Sequence, residues 1–323
     1  MKNKEKLICL FSCIFLISCV EHTLSFRVNP DGSYNIKYVS HGDKVDLLDL
    51  DFPIPSDSDW TINSTFNDIE AESYDYSASK TFNRGELIPI TFYTGDSIFY
   101  ESLIKHPIKI KYNNWFFIDK YSFSAKIISR DVSNKYPLIE ELILNVDNPP
   151  KNWYKQAFMY TLLETINFVN IDWNTRPIID AELKSWKEKE LDTISDSTLI
   201  DDYEFYKNMG LDIIMHPSSP DLYNEMDSIF KMLEDELKIT LGLIDDSFLF
   251  RLALPGIIEQ TNADSISNDT LFWSFELNDY MNESLEMYAE SQIIHSRRIL
   301  IILSSIVLSI IVYLLFRYKK VIN

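Results

Sequence analysis

Residues 299–316, ILIILSSIVLSIIVYLLF, hold no charged side chain, no proline and no glycine. At about 1.5 Å per residue, a helix of that length extends about 27 Å, close to the ~30 Å hydrocarbon core of a bilayer. An apolar run of this kind is expected to cross a membrane, and it constrains everything else the chain can do. Tyr313 and Tyr318 stand where interfacial aromatics belong, and Arg317, Lys319 and Lys320 follow on the expected inner side. Arg297 and Arg298 precede the run and weaken that charge asymmetry.

The beginning of the chain resolves the orientation. Lys2, Lys4 and Lys6 precede the apolar run 7–17, which is too short to span a bilayer and reads as the h-region of a secretion signal. The run closes on Leu16-Ile17-Ser18-Cys19, which resembles the bacterial lipobox. In that family the cysteine is acylated with a fatty acid such as palmitate, and the signal is cut before it. Cys19 is therefore the expected lipidation site. All three cysteines (Cys9, Cys13, Cys19) lie at or before position 19. The mature domain would thus hold no disulfide, which favours a bacterial envelope protein over a eukaryotic ectodomain. The expected map is a signal peptide over 1–18, an extracytoplasmic domain, a transmembrane helix over 299–316 and a cytoplasmic tail over 317–323. Both anchors would share the cytoplasmic membrane, with the domain on its periplasmic side. The tail is too short for an output domain, which places a sensor role last.

Between the anchors, 22 basic side chains face 48 acidic ones, a net charge near −26. Such a surface disfavours electrostatic binding to nucleic acid or to anionic headgroups. Hydrophobic content of 46% with 14% aromatics supports a packed globule.

The texture of that region changes twice. Over 19–148 it reads as strands, apart from 42–85, which is polar and irregular, with Asp, Ser and Asn dominating. Residues 23–28 and 33–39 alternate around Asn29-Pro-Asp-Gly32, which predicts a hairpin. Strands are expected at 87–93, 106–112 and 115–129, the last two joined at Asn113-Asn114. From Pro149-Pro150 to 245 the period becomes helical, with helices expected at 178–191, 199–209 and 221–241 besides one from Trp153. From 246 to 295 strand texture returns at 247–254 and 270–277, and 285–293 reads as either a last strand or a helix leading into the span. The fold class expected is α+β: an antiparallel β-rich domain with a helical insertion, plus one C-terminal transmembrane helix. Its first and last strands are expected to pair, bringing both chain ends to the membrane side.

The third region carries Leu254-Pro255-Gly256, Asn262, Leu271-x-Trp273-x-Phe275 and Ala289-x-Ser291 before the closing apolar run, with Asp31-Gly32-Ser33 in the first hairpin. This layout is similar to that of LppM-like bacterial envelope lipoproteins of unknown function. The resemblance covers about a quarter of the chain. It implies a β-rich membrane-proximal domain and no particular activity.

Chemistry-bearing motifs are scarce. His22, His41, His106, His216 and His295 form no metal-ligand spacing and read as surface or capping groups. The acidic stretch Asp43, Asp46, Asp49, Asp51, Asp57, Asp59 lacks the calcium-loop pattern, and Asp201-Asp202 and Asp245-Asp246 read as helix starts and turns. Seven glycines leave no nucleophile elbow and no phosphate loop. Trp153, Tyr154, Phe158, Tyr160, Phe168 and Trp173 could line a groove but fit a core better. No catalytic, metal or cofactor-binding residue is assigned, and no cofactor is expected. The reading is a non-enzymatic membrane-anchored module for an unknown envelope protein partner or an apolar ligand, with no nucleic acid. The alternative is a cell-wall glycan hydrolase using a carboxylate pair.

Overall fold

The computed structural model describes residues 20–43, 54–55, 58–67, 73–88, 106–145, 150–169, 174–215 and 223–322. The strand expected at 87–93 falls largely outside these residues, as do Cys19, His216 and most of the acidic stretch.

Eleven strands are described: β1 (Glu21–Val28), β2 (Tyr34–Asp43), β3 (Thr61–Asn67), β4 (Ser73–Phe82), β5 (His106–Trp115), β6 (Ile118–Ile127), β7 (Ser247–Ala253), β8 (Ile257–Thr261), β9 (Ser265–Ser267), β10 (Thr270–Glu276) and β11 (Leu285–Ile294). They form one sheet in the order β3-β4-β2-β1-β7-β10-β9 and a second in the order β5-β6-β11-β8. Against the irregular reading of 42–85, β3 and β4 lie in that stretch, their polar residues taken up by pairing with each other and with β2. Alternation decides which faces meet. Leu24, Phe26 and Val28 of β1, Tyr121, Phe123 and Ala125 of β6, and Phe248, Phe250 and Leu252 of β7 all point inward and are buried. Across the interface the Phe26 and Phe123 rings lie 5.4 Å apart, and Phe123 and Trp273 lie 5.8 Å apart.

The resemblance residues turn out to stitch the sheets together. Trp273 Nε1 donates to Asn262 Oδ1 at 3.1 Å, and Asn262 Nδ2 donates to the Glu286 carbonyl at 2.6 Å. Ser291 Oγ donates to the Pro255 carbonyl at 2.8 Å.

Helices occupy the stretch between β6 and β7: α1 (Val132–Lys135), α2 (Pro137–Leu144), α3 (Trp153–Phe168), α4 (Arg176–Lys189), α5 (Asp196–Asp201), α6 (Tyr203–Met215) and α7 (Tyr223–Gly242). Helical structure therefore begins at Val132, inside the stretch whose texture reads as strand. Pro137 supplies the pre-set φ at the first position of α2, and Ile139, Leu142 and Ile143 make its buried face. The helix expected at 199–209 is two helices broken at Asp202, whose N–H caps the Thr198 carbonyl. Phe158, Leu162, Trp186, Leu211, Ile214 and Phe230 form a second apolar core inside the helical layer. A one-turn helix, α8 (Leu277–Tyr280), follows β10, and α9 (Ser296–Ile322) closes the chain. The segment 285–293 is thus a strand. The expected class holds: helices and antiparallel-rich sheets, with one apolar C-terminal helix.

The position of the ends differs from expectation. β1 does pair with β7, but in parallel, and β11 belongs to the other sheet. The two sheets run against each other: Phe26 sits at the level of Phe123, and Tyr121 Oη donates to the Pro30 carbonyl at 2.7 Å. The β1–β2 turn is therefore at the α9 pole, and the start of β1 is at the opposite pole. There the Ser247 N–H donates to the Val20 carbonyl at 3.0 Å, and the Arg130 N–H to the Tyr280 carbonyl at 3.2 Å. Eight residues of strand at about 3.3 Å each separate Val20 from the α9 pole by roughly 26 Å. Pairing partners set this arrangement, and hydrophobic alternation does not reveal them.

Candidate membrane junction

α9 carries the strongest functional signal. Within it Ser296–Leu314 has a mean hydropathy of 2.1 over 19 residues, with none of the window buried in the protein. At about 1.5 Å per residue that is roughly 28 Å, one hydrocarbon thickness. Its three mid-span serines are satisfied internally. Ser304 donates to the Leu300 carbonyl at 2.7 Å, and Ser305 and Ser309 donate to the Ile301 and Ser305 carbonyls at 2.8 Å each. A lipid-facing helix requires that, because no water is present to do it.

One residue, His295, separates β11 from α9. Its carbonyl accepts from the N–H groups of Arg298 (3.0 Å) and Ile299 (3.2 Å), which starts the helix. Its own N–H donates to the Phe117 carbonyl at 2.8 Å, and its Nε2 lies 2.7 Å from Asp119 Oδ2. Asn114 Nδ2 donates to the other oxygen of Asp119. Arg298 Nη1 donates to the Phe116 carbonyl at 3.2 Å. The first turn of α9 is thus bound to the β5–β6 turn through two backbone carbonyls and one carboxylate. His295, expected as a surface or capping group, stands just before α9 with its imidazole on Asp119.

That turn is not where its composition places it. Asn113 and Asn114 lie within β5, and the reversal is at Phe116-Phe117, with Trp115 opposite Ile118. A two-residue turn at Asn113-Asn114 would set Tyr112 opposite Trp115 and Ile110 opposite Phe117. The observed register sets Tyr112 opposite Tyr121 and Ile110 opposite Phe123, both buried, and stacks Tyr112 on Tyr121 at 5.0 Å. Pairing of the large side chains outweighs turn propensity here. The consequence is a tip whose Trp115 is 67% and Phe116 60% exposed, in line with the exposed Ile294 on β11, with the exposed Ile257 on the far strand of the same sheet.

A second cluster looks chemical but is sealed. His22 Nδ1 lies 2.7 Å from both Tyr38 Oη and Ser40 Oγ, and its Nε2 lies 3.4 Å from Asp246 Oδ2. The ring stacks on Phe248 at 5.2 Å. A hydroxyl, an imidazole and a carboxylate in a row would suit nucleophilic catalysis, but Ser40, His22 and Asp246 are all buried to 3% exposure or less. The cluster pins β1, β2 and the start of β7 together. His22 is therefore a core residue, against the surface role expected of it, and Asp246 is more than a turn residue. The missed signal was parity: His22 shares the inward face of Leu24, Phe26 and Val28.

The remaining candidates disperse. His41 pairs with Asp75 at 2.6 Å on the surface, and Asp59 pairs with Lys80 at 3.2 Å. Among the described residues no three His, Cys, Asp or Glu side chains gather as a metal site. Phe158 is fully packed in the helical core, Trp153 and Tyr160 pack against the sheet-side core, and Phe168 is exposed. Val20, next to Cys19, is buried at the pole opposite α9.

No family model matches the sequence, and no curated protein matches it. Among solved structures, the folded domain of Mycobacterium tuberculosis LppM aligns with 87% of this chain and 94% of that one, at 8% identity and a TM-score of 0.31. A likeness at that level carries no argument about fold, site or function.

Proposed function

We propose that the chain is an extracytoplasmic lipoprotein of the bacterial envelope, held in the cytoplasmic membrane by α9 and acylated on Cys19, whose domain is a non-enzymatic module for an envelope protein partner or an apolar ligand. The observation that carries this reading is the junction: a lipid-length apolar helix, unburied along its span, bound by His295 and Arg298 to the rim of the β-domain. A rigid junction presents the domain in a defined stance at the bilayer surface. The chain's acidic surface suits display in water, and the His22 cluster lies too deep to meet a substrate.

An acyl chain on Cys19 would begin at the opposite pole, roughly 26 Å from the first turn of α9. It would reach the same bilayer only with the strands lying along the membrane surface. Carbonate extraction of bacterial membranes containing the full-length chain tests the anchor, and added protease tests the side. A carbonate-resistant protein digested from outside the cytoplasmic membrane supports the reading. A carbonate-extractable protein, or one whose domain is protected in intact spheroplasts, sinks it. Crosslinking and pull-down of the membrane protein then identify the partner.

A further inference from the structure

We propose that the β5–β6 turn, Trp115-Phe116-Phe117, is an interfacial anchor that seats in the headgroup layer of the bilayer crossed by α9. This rests on reading α9 as a spanning helix. The place of the turn is fixed by bonds: the Phe117 carbonyl accepts from the His295 N–H at 2.8 Å, and the Phe116 carbonyl from Arg298 Nη1 at 3.2 Å. The tip therefore stands level with the first turn of the membrane helix.

Its chemistry suits that depth. Trp115 and Phe116 are mostly exposed, Phe117 is partly so, and the Phe116 and Phe117 rings meet edge-on at 5.1 Å. Hairpin tips in water favour Asn and Gly; this chain keeps Asn113 and Asn114 in the strand and turns on two phenylalanines. Trp is enriched at membrane interfaces because an apolar ring there can keep its N–H in the headgroup layer. Irregular backbone entering a poorly hydrated layer needs its carbonyls satisfied, and both carbonyls of this turn already accept protein bonds. Ile257 and Ile294 extend the apolar rim, and the Arg298 guanidinium, 6.0 Å from the Phe116 ring centre, is placed for a lipid phosphate. A lipid surface is the occupant because the rim is continuous with α9.

The test uses the full-length chain in phosphatidylcholine–phosphatidylglycerol vesicles carrying lipids brominated near the headgroup or deep in the acyl chain. Tryptophan quenching by the shallow lipids should exceed that by the deep lipids. In Trp115→Phe, and in Phe116→Asp, which pushes the tip outward, shallow quenching should fall by half or more. Unchanged quenching in Trp115→Phe, with the protein still carbonate-resistant, overturns the tip proposal and leaves the spanning reading standing. A carbonate-extractable protein overturns both. Trp115 shielded from shallow lipid and from aqueous iodide alike would mean that a protein, not lipid, covers the tip.

Discussion

Arg130 Nη2 lies 2.8 Å from Glu236 Oε1, joining the end of β6 to α7 across 106 positions of sequence. The Arg130 side chain is fully buried and also donates to Thr240 Oγ1 at 3.0 Å. Glu236 keeps 15% exposure and a second cation, Lys135 Nζ, at 3.6 Å. The two halves of the pair should thus be unequal. Glu236→Ala takes the carboxylate from a fully buried guanidinium, whereas Arg130→Met leaves a partly exposed carboxylate with Lys135 and some water. Breaking a buried pair costs about 3–5 kcal/mol. Glu236→Ala should lie in that range, and Arg130→Met below it. The double variant Arg130→Met/Glu236→Leu should be more stable than Glu236→Ala alone. Thermal unfolding of the full chain in detergent measures all three, and equal losses for the two single variants would refute the asymmetry.

Gly256 and Gly85 both have positive φ, +87° and +74°, but differ in surroundings. A Cβ at Gly256 would stand 2.2 Å from the Gln292 carbonyl oxygen, where β8 turns onto β11, while one at Gly85 meets nothing within 4 Å. Left-handed backbone alone costs an alanine about 1–2 kcal/mol. Gly85→Ala should lose about that, and Gly256→Ala more, because backbone must also move. The same unfolding measurement checks the order, and a smaller loss at Gly256 would contradict it.

Burial pushes the Tyr34, Tyr121 and Tyr154 hydroxyls up to about 12 from their ordinary value of 10.0, with nearby carboxylates adding to the shift. A folded-state value above the unfolded one means that the unfolded chain releases these protons first as pH rises. The stability they contribute is complete below pH 10 and lost as pH passes 10 towards 12. Denaturant midpoints should fall across that window, and absorbance of tyrosinate should show a late-ionising group. Midpoints level through the window would refute it.

How much of this was readable depended on range. The β1–β2 hairpin, β7, β10 and the apolar helix rest on local periodicity, and the sequence shows them. The turn at Phe116-Phe117 is hidden because Asn113-Asn114 has the better turn chemistry, while the register is set by the pairing of Tyr112 with Tyr121 and of Ile110 with Phe123. The helices at 132–144 are short and rest on a single apolar face against the sheets. His22 is legible by parity, although its residue type points to the surface. The placement of Val20 and α9 at opposite poles comes from the parallel pairing of β1 with β7, more than two hundred residues apart, and no local signal carries it.

That polarity makes Cys19 the sharpest test. Cys19→Ser should abolish acylation and lipoprotein processing, yet leave the chain carbonate-resistant through Ser296–Leu314. Val20 is buried, and its carbonyl is held by the Ser247 N–H, so the chain is fixed to the sheet from the residue after Cys19. An acyl chain drawn into the bilayer beside α9 must lay the strands along the surface and tilt the first turn of α9 together with the Trp115 tip bound to it. If the aromatic tip and the bound first turn of α9 set the stance, shallow-lipid quenching of Trp115 should be the same in acylated protein and in Cys19→Ser. If the lipid sets it, removing the lipid should raise that quenching. Release of Cys19→Ser into the soluble fraction would mean that α9 is no anchor at all.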